Sequence, residues 1–337
     1  MPRNMQQWAA ELIAAPQKDS FPVLSFPAIQ MMGITVAELI ASSDAQAKGM
    51  KCIADACKTC GSVSLMDLSV EAEAFGSKIS VADDEVPTVV GTILKEAEDA
   101  DALVVPSVGA GRTGLYIEAI EKACKQITDR PVFAGIIGPY SLAGRLMGMT
   151  DIMINCYEEP EMVETTLEKA TTFLIAYAKA YKAVGANGIV MAEPAAGLLS
   201  AKMMWEFSGK YVKRLVDAVQ DETFAVIYHN CGNSVPNMIA ELTAIGAVGY
   251  HFGNAVSMQD MVEKMPASVL VMGNVDPAKQ FRFGTPESVR EATLSVMQAC
   301  RSHPNFVISS GCDIPPASDW NNIRAFFEAV DAFYRSK

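Results

Sequence analysis

Eight short apolar runs recur along the 337-residue chain, and a longer stretch with helical spacing of apolar residues follows most of them. The runs occupy residues 21–27, 62–69, 131–138, 188–194, 224–232, 247–253, 268–276 and 306–312. The helical patterns are clearest at 161–185, 201–219 and 288–300. Strands that alternate with helices predict a parallel sheet, and eight such units close a barrel. The sequence therefore predicts an α/β fold of the (β/α)8 TIM-barrel type.

Two additions to this barrel are predicted. Residues 1–21 have the pattern of an amphipathic helix rather than of a signal peptide, and residues 78 to about 128 form an extended excursion after the second strand. No linker or low-complexity tract marks a boundary, so we expect one domain over 1–337. An open doubly wound sheet is the alternative, but no Gly-x-Gly-x-x-Gly turn follows the first run.

Composition and charge exclude several classes of partner. The chain is 50% hydrophobic, but no run approaches the roughly 18 apolar residues that a membrane span requires. A formal net charge of -12 disfavours nucleic acid and acidic lipid. Eight irregularly spaced cysteines fit reduced thiols or metal ligands better than a disulfide framework. We therefore expect a cytoplasmic protein with no nucleic-acid and no membrane partner.

Polar and reactive residues are concentrated where the predicted strands end. Because TIM barrels build their active sites at the carboxyl ends of the strands, these residues are the candidates for function. They are Asp67, Glu193, His229, Cys231, His251, Asn274, Asp276 and Cys312.

Three of these residues predict a metal site. His229 and Cys231 are two positions apart, so in extended backbone their side chains point to the same side, and Cys312 ends the eighth predicted strand. One imidazole and two thiolates with an open fourth position are typical of catalytic zinc. The fourth ligand is left open between Glu193, His251, water and substrate. A buried histidine beside a small apolar cysteine is the alternative interpretation.

The other cysteines are predicted to be packing groups. Cys52, Cys57 and Cys60 have the spacing of some iron–sulfur ligands, but they lie in a helical pattern and no fourth cysteine is near. The remaining three also fall in helical stretches, and they are Cys124, Cys156 and Cys300.

Six segments occur in the order and approximate spacing found in a known superfamily. They are DLSVEAEAFG (67–76), AGIIGPYSLAGRLMG (134–148), AEPAAGLLS (192–200), HNCGN (229–233), GNVDP (273–277) and SSGCDIPP (309–316). Together they resemble the uroporphyrinogen decarboxylase superfamily, and within it the zinc-dependent methylcobalamin:coenzyme M methyltransferase branch. The fold that this resemblance implies is again a (β/α)8 barrel.

Two features favour the methyltransferase branch over the decarboxylases. The decarboxylases have an arginine-rich N-terminal motif for their porphyrinogen, whereas residues 21–33 here contain no Arg or Lys. The decarboxylases also carry histidine where this chain has Cys312, while the methyltransferases resemble this chain in that cysteine and in the His-x-Cys motif. In the place of an acidic pair that those methyltransferases carry after strand six, this sequence has Gly253 and Asn254.

The resemblance implies a zinc-dependent enzyme that moves a methyl group from a methylated corrinoid to a thiol such as coenzyme M, or to another small acceptor. A separate corrinoid protein is the expected partner, because the chain has no Asp-x-His-x-x-Gly motif of its own. Zn2+ is assigned to His229, Cys231 and Cys312, and catalytic roles to Asp67 and Glu193. Asn274 and Asp276 are candidate cofactor-binding residues, with fixation of their own loop as the alternative. The alternative functions are metal-free decarboxylase-like chemistry and non-catalytic binding of a corrinoid carrier.

Overall fold

The computed structural model describes residues 3–335, and its main feature is a parallel sheet of seven strands. The strands of the chain are β1 Ser62–Val63, β2 Lys78–Ser80, β3 Thr88–Val90, β4 Val132–Ile137, β5 Gly188–Ala192, β6 Ala225–Asn230, β7 Gly249–Phe252, β8 Leu270–Val275 and β9 Phe306–Ser310. The seven-stranded sheet has the order β1-β4-β5-β6-β7-β8-β9, while β2 and β3 form a separate antiparallel hairpin. The fold is α/β and TIM-barrel-like.

Helices follow most strands and cover the outside of the sheet. They are α1 Met5–Ala14, α2 Ala28–Met32, α3 Val36–Ile40, α4 Ser43–Ala56, α5 Val70–Ala74, α6 Ala97–Ala102, α7 Thr113–Gln126, α8 Pro139–Met147, α9 Met149–Glu158, α10 Pro160–Ala183, α11 Ala201–Met204, α12 Lys210–Val219, α13 Ile239–Ile245, α14 Met258–Lys264, α15 Pro286–Ala299 and α16 Trp320–Arg335. Short 3-10 turns lie at Pro194–Leu198 and Val235–Asn237, and π turns at Trp205–Gly209 and Pro277–Arg282. Within residues 3–335, no helix is both long and apolar enough to cross a lipid bilayer.

Alternate residues of the strands face the interior of the curved sheet. The inward set forms one hydrophobic cluster that includes Val190 and Ala192 of β5, Ala225 and Ile227 of β6, Leu270 and Met272 of β8, and Val307 of β9. The intervening residues pack in a second cluster with the helices. This alternation follows from the two-residue period of a strand, and it determines which strand-end side chains point into the barrel.

Helix α1 packs against the amino-terminal side of the sheet. It begins after Asn4, whose side chain accepts a hydrogen bond from the backbone of Gln7 at 2.8 Å. Trp8 packs its ring against Phe21 and Phe133 and donates its indole N–H to the Cys60 carbonyl at 3.0 Å. The helix thus covers the end of the barrel that is opposite the strand-end candidates.

The first of the eight predicted strands is not a strand of the sheet, so that prediction was wrong. Residues 20–24 instead run as extended chain between the two edge strands: the Phe21 amide donates to Ile308 of β9, and the Cys60 amide, just before β1, donates to Ser20. Pro22 has no N–H to donate, and the Val23 amide donates to the Ser310 side chain rather than to a backbone carbonyl. The segment fills the gap between the edges without completing a ladder.

The excursion after β1 contains the hairpin β2–β3 and the helices α6 and α7. Helix α7 packs against α4, and the turn that precedes α7 returns to the carboxyl end of β1. Residues far apart in sequence therefore meet next to Asp67.

Candidate metal centre

His229, Cys231 and Cys312 meet at the carboxyl ends of β6 and β9. Their potential ligand atoms all lie within 4.8 Å of one another, and the Cys312 Sγ is 3.5 Å from the His229 Nε2. A metal ion requires several His, Cys, Asp or Glu side chains close together. Among the described residues, these three side chains meet that requirement. One nitrogen and two sulfur donors suit zinc, so the residues present fit the ion that the sequence predicts.

The alternation of β6 explains why two of these donors converge. Ala225 and Ile227 face the barrel interior, so His229 and Cys231 continue the same inward series. After β6 the chain passes very close to the residue that follows β7. A Cβ atom at position 253 would lie 2.4 Å from the Cβ of Cys231. Glycine is therefore required at 253, where the resemblance had pointed to an acidic residue.

His251 is not placed to bind a metal, because both of its ring nitrogens already have partners. It is the register neighbour of His229 on β7, and the Nδ1 atoms of the two rings are 2.7 Å apart. Its Nε2 lies 2.7 Å from the Ser309 Oγ, and that hydroxyl donates to the Phe21 carbonyl at 2.6 Å. His251 is fully buried behind His229.

This chain of hydrogen bonds sets the tautomer of His229. Because the Ser309 hydrogen goes to the Phe21 carbonyl, the Nε2–H of His251 donates to Ser309 and its Nδ1 accepts from His229. Burial, and then the proximity of His229, hold the pKa of His251 well below its usual value, in agreement with a neutral ring. The Nδ1 hydrogen of His229 is thus used in the bond to His251, and its Nε2 lies on the side of Cys312.

The two thiols differ in acidity. A hydrogen bond from Cys312, together with the nearby His229, lowers the pKa of Cys231, whereas the same pairing and burial raise the pKa of Cys312. One thiolate is thus already favoured in this pair. Metal ligation requires thiolates, and a cation would take the place of the remaining proton.

Glu193 directly follows Ala192, the register partner of His229, but its carboxylate is used elsewhere. Its buried carboxylate accepts hydrogen bonds from the amides of Tyr140 and Ser141, at 2.8 and 2.9 Å, and from the Ser208 hydroxyl at 2.7 Å. It therefore caps the amino terminus of α8. Glu193 does not belong to the group of potential metal ligands.

Asp67 is enclosed by protein donors on both carboxylate oxygens. One oxygen accepts from the backbone and hydroxyl of Ser69, and the other accepts from Tyr116 at 2.7 Å and from Arg112 at 2.5 Å. Arg112 also donates to Glu73 at 2.6 Å. Asp67 therefore ties the excursion to the end of β1.

Arg112 and Tyr116 were missed in the sequence. Their only signal was an arginine in the Gly-rich segment 107–114 that precedes a helical pattern. The pairing with Asp67 spans 45 positions and has no periodic signature.

Asn274 and Asp276 hold the loops beside β8. The Asn274 side chain donates to the carbonyls of Gly253 and Val256 at 2.9 and 2.8 Å. One carboxylate oxygen of Asp276 accepts from two backbone amides of the following turn, and the other accepts from Asn254 at 2.9 Å. These contacts match the loop-fixing interpretation of the two residues.

A cavity of about 340 Å³ opens beside the group of potential ligands formed by His229, Cys231 and Cys312. Its walls come from α8, from the turn after β5 and from the turn after β6, and they include Cys231. A small substrate bound there would lie next to one of the candidate ligands.

The cysteines at 52, 57 and 60 do not lie on one helix, because α4 ends at Ala56. Cys57 and Cys60 are buried, and burial raises the pKa of Cys57 to about 12. We expect replacement of all three by alanine to leave the metal content unchanged and to lower stability by about 1 kcal/mol for each buried site. Metal analysis and urea unfolding test this. An iron–sulfur absorption band that disappeared on replacement would contradict it.

The fold and the site together define a class of protein, an α/β barrel-like fold with one nitrogen and two sulfur donors at the carboxyl ends of its strands. The sequence profile of the uroporphyrinogen decarboxylase (URO-D) family matches residues 27–333, and the chain belongs to this family.

Two curated relatives are named methylcobamide:CoM methyltransferase MtbA. The one from Methanosarcina acetivorans is 30% identical over 272 residues, covering 78% of this chain and 77% of the relative. The one from Methanosarcina mazei is 30% identical over 277 residues, with the same coverage of 78% and 77%. A solved methyltransferase structure from Methanosarcina mazei superposes with a TM-score of 0.86 at 22% identity, covering 98% of this chain and 99% of that chain. That structure supports the fold.

Proposed function

We propose that this protein is a zinc-dependent corrinoid methyltransferase, which moves a methyl group from a methylated corrinoid on a partner protein to a small thiol. The observation that carries the proposal is the convergence of His229, Cys231 and Cys312 at the strand ends, beside a cavity. The names of the relatives that are 30% identical supply the type of reaction. Zinc held there would lower the pKa of an acceptor thiol and so favour its nucleophilic form at neutral pH.

The chain's own residues prepare the site for this chemistry. His251 and Ser309 orient the His229 ring, so that its Nε2 lone pair is available without rearrangement. As thiolates, the two cysteines would contribute two negative charges, which offset the two positive charges of the zinc ion. The zinc would then withdraw less electron density from an acceptor sulfur. In the transfer, the cobalt–carbon bond of the corrinoid breaks and its electron pair stays on cobalt, while a sulfur–carbon bond forms and the thiol proton is released.

Methyl transfer can be tested with methylcobalamin and small thiols. We expect the zinc-loaded protein to produce cob(I)alamin and the S-methyl product, and we expect His229→Ala and Cys231→Ala to lose this activity. Cys124→Ala is a matched control, because that cysteine is half-buried on α7 and is not among the potential ligands. Equal rates for wild type and both ligand variants, with coenzyme M, other thiols and tetrahydrofolate, would show that this chemistry is wrong.

The role of His251 predicts a change in metal affinity. His251→Phe removes the acceptor of the His229 Nδ1–H, and the loss of such a support costs roughly 10- to 100-fold in metal affinity. Competition with a chromogenic chelator measures this affinity. His303→Phe is the matched control, because His303 lies in the loop before β9 and outside the group of ligands. Identical zinc affinity in the two variants would refute the orienting role.

A further inference from the structure

Cys231 and Cys312 form a pair of neighbouring thiols at the strand ends. Their Sγ atoms lie within 4.8 Å of each other, and a hydrogen bond joins the two side chains. A disulfide bond is about 2.05 Å long, and rotation about χ1 moves a cysteine sulfur by up to roughly 3 Å. Side-chain rotation can therefore bring the two sulfur atoms to bonding distance.

The backbone at both cysteines is free of the sheet. Strand β6 ends at Asn230 and β9 ends at Ser310, so Cys231 and Cys312 both lie beyond the strand ladders. Small adjustments of these two segments would leave the strand pairing unchanged. The barrel itself therefore does not have to deform for a bond between the two sulfur atoms to form.

A small molecule reaches the two cysteines unequally. Cys231 lines the cavity of about 340 Å³, whereas Cys312 is not one of its lining residues. The cavity walls are mainly apolar and include Leu68, Met149 and Leu198, which suits a small uncharged molecule. A reagent in the cavity would therefore meet the Cys231 sulfur first, with Cys312 beside it to complete a second step.

Most of the other cysteines are poorly suited to this reaction. Thiol–disulfide exchange requires a thiolate, and burial disfavours the charged form. Burial raises the pKa of five of the six remaining cysteines, which are Cys57, Cys60, Cys124, Cys156 and Cys300. Oxidation by a small disulfide should therefore be selective for the pair at the strand ends.

We propose that Cys231 and Cys312 form a reversible disulfide when no metal is bound, and that a small disulfide RSSR is the oxidant. The Cys231 sulfur attacks one sulfur of RSSR, so that a bond from Cys231 to SR forms and the first RSH leaves. The Cys312 sulfur then attacks the Cys231 sulfur and releases the second RSH. Two protein thiols are oxidised and one small disulfide is reduced to two thiols, which balances the reaction.

The disulfide and a bound metal exclude each other. Metal ligation requires both sulfurs as thiolates, and the disulfide has no thiolate to offer. Oxidation would therefore switch metal binding off, and a bound metal would protect the pair from oxidation. The inference rests on the proposed function only in that the two thiols are taken as zinc ligands, since formation of the disulfide needs no methyl transfer.

The test exposes the zinc-loaded, full-length protein to 2-hydroxyethyl disulfide, with and without a strong chelator. With the chelator, two of the eight thiols per chain should be lost, and peptide mass spectrometry should find Cys231 joined to Cys312. Without the chelator, all eight thiols should remain at the same exposure. Cys300 should stay reduced in both samples, which shows that the chain has remained folded.

Single replacements separate the two steps. Cys312→Ser should stop the reaction after the first step, so that a mercaptoethanol adduct stays on Cys231. Cys231→Ser should prevent the loss of both thiols. Cys124→Ala is the matched control and should still form the disulfide, because that cysteine lies on α7 and outside the pair. The oxidised wild type should take up no zinc until a phosphine reductant restores both thiols.

The inference and the proposed function fail separately. A protein that forms the disulfide but transfers no methyl group supports the inference and contradicts the function. A zinc-loaded protein that transfers methyl groups, but whose chelated form keeps all eight thiols or holds a stable adduct on Cys231, overturns the inference and leaves the function standing. Oxidation at the same rate with and without bound zinc, or full zinc uptake by the oxidised protein, would also overturn it.

Discussion

Replacement of Cys312 by alanine is expected to abolish the binding of about one zinc ion per chain, and so are His229→Ala and Cys231→Ala. Each change leaves an incomplete set of donors, and the loss of a ligand should exceed the roughly 10- to 100-fold cost of losing a supporting hydrogen bond. Metal analysis after dialysis against a weak chelator measures the result. The three variants should behave alike, because each donor belongs to the same compact group.

Cys300→Ala provides the control for this experiment, because Cys300 is buried at the end of α15 and lies outside the ligand group. We expect it to retain zinc. Wild-type protein prepared with zinc that contained none, and that was unaffected by Cys312→Ala, would leave metal-free decarboxylase-like chemistry as the better explanation.

Arg112→Met is expected to have the largest effect on stability. It would leave Asp67, whose side chain is 0% exposed, as a buried charge without its cation. Removal of one partner from a buried pair costs about 3–5 kcal/mol. Urea unfolding measures the free energy, and the combined variant Arg112→Met with Asp67→Asn should recover part of the loss because it removes the stranded charge.

The matched control is Arg290→Met, which breaks the pair with Glu328, where the side chains are 43% and 63% exposed. Exposed pairs contribute about 0–1 kcal/mol, so this variant should remain near wild type. If Arg112→Met and Arg290→Met unfolded at the same urea concentration, the cluster around Asp67 would not be what ties the excursion to β1.

The convergence of His229, Cys231 and Cys312 could be predicted because it depends on local geometry. His229 and Cys231 share one side of a strand, and the barrel brings Cys312 to the same end. Glu193 also lies at the end of a strand, but this position alone does not predict where its side chain lies. Val190 and Ala192 face inward, so Glu193 falls in the outward series and reaches the first turn of α8 instead. The alternation of inward and outward residues along β5 and β6 could have distinguished Glu193, which points outward, from His229 and Cys231, which point inward.

Other features required information that spacing does not contain. Seven of the eight predicted strands exist, whereas the run 21–27 is apolar enough for a strand but its Pro22 interrupts the ladder. The environment of Asp67 depends on an arginine 45 positions away. The tautomer of His251 depends on Ser309, which is 58 positions away and on a strand that is not its neighbour.

The extended segment 20–24 has a consequence for the candidate centre at the other end of the hydrogen-bond chain. The carbonyl of Phe21 is the final acceptor in the series through Ser309 and His251 to His229. Departure of this segment from the sheet edge would free the Ser309 hydroxyl to rotate, and the tautomer of His229 would no longer be fixed. Ligand binding at His229 and local opening of the N-terminal segment are therefore thermodynamically linked, and each opposes the other by the same factor. The stability of segment 20–24 at the incomplete edge of the barrel thereby contributes to the free energy of ligand binding at the strand ends.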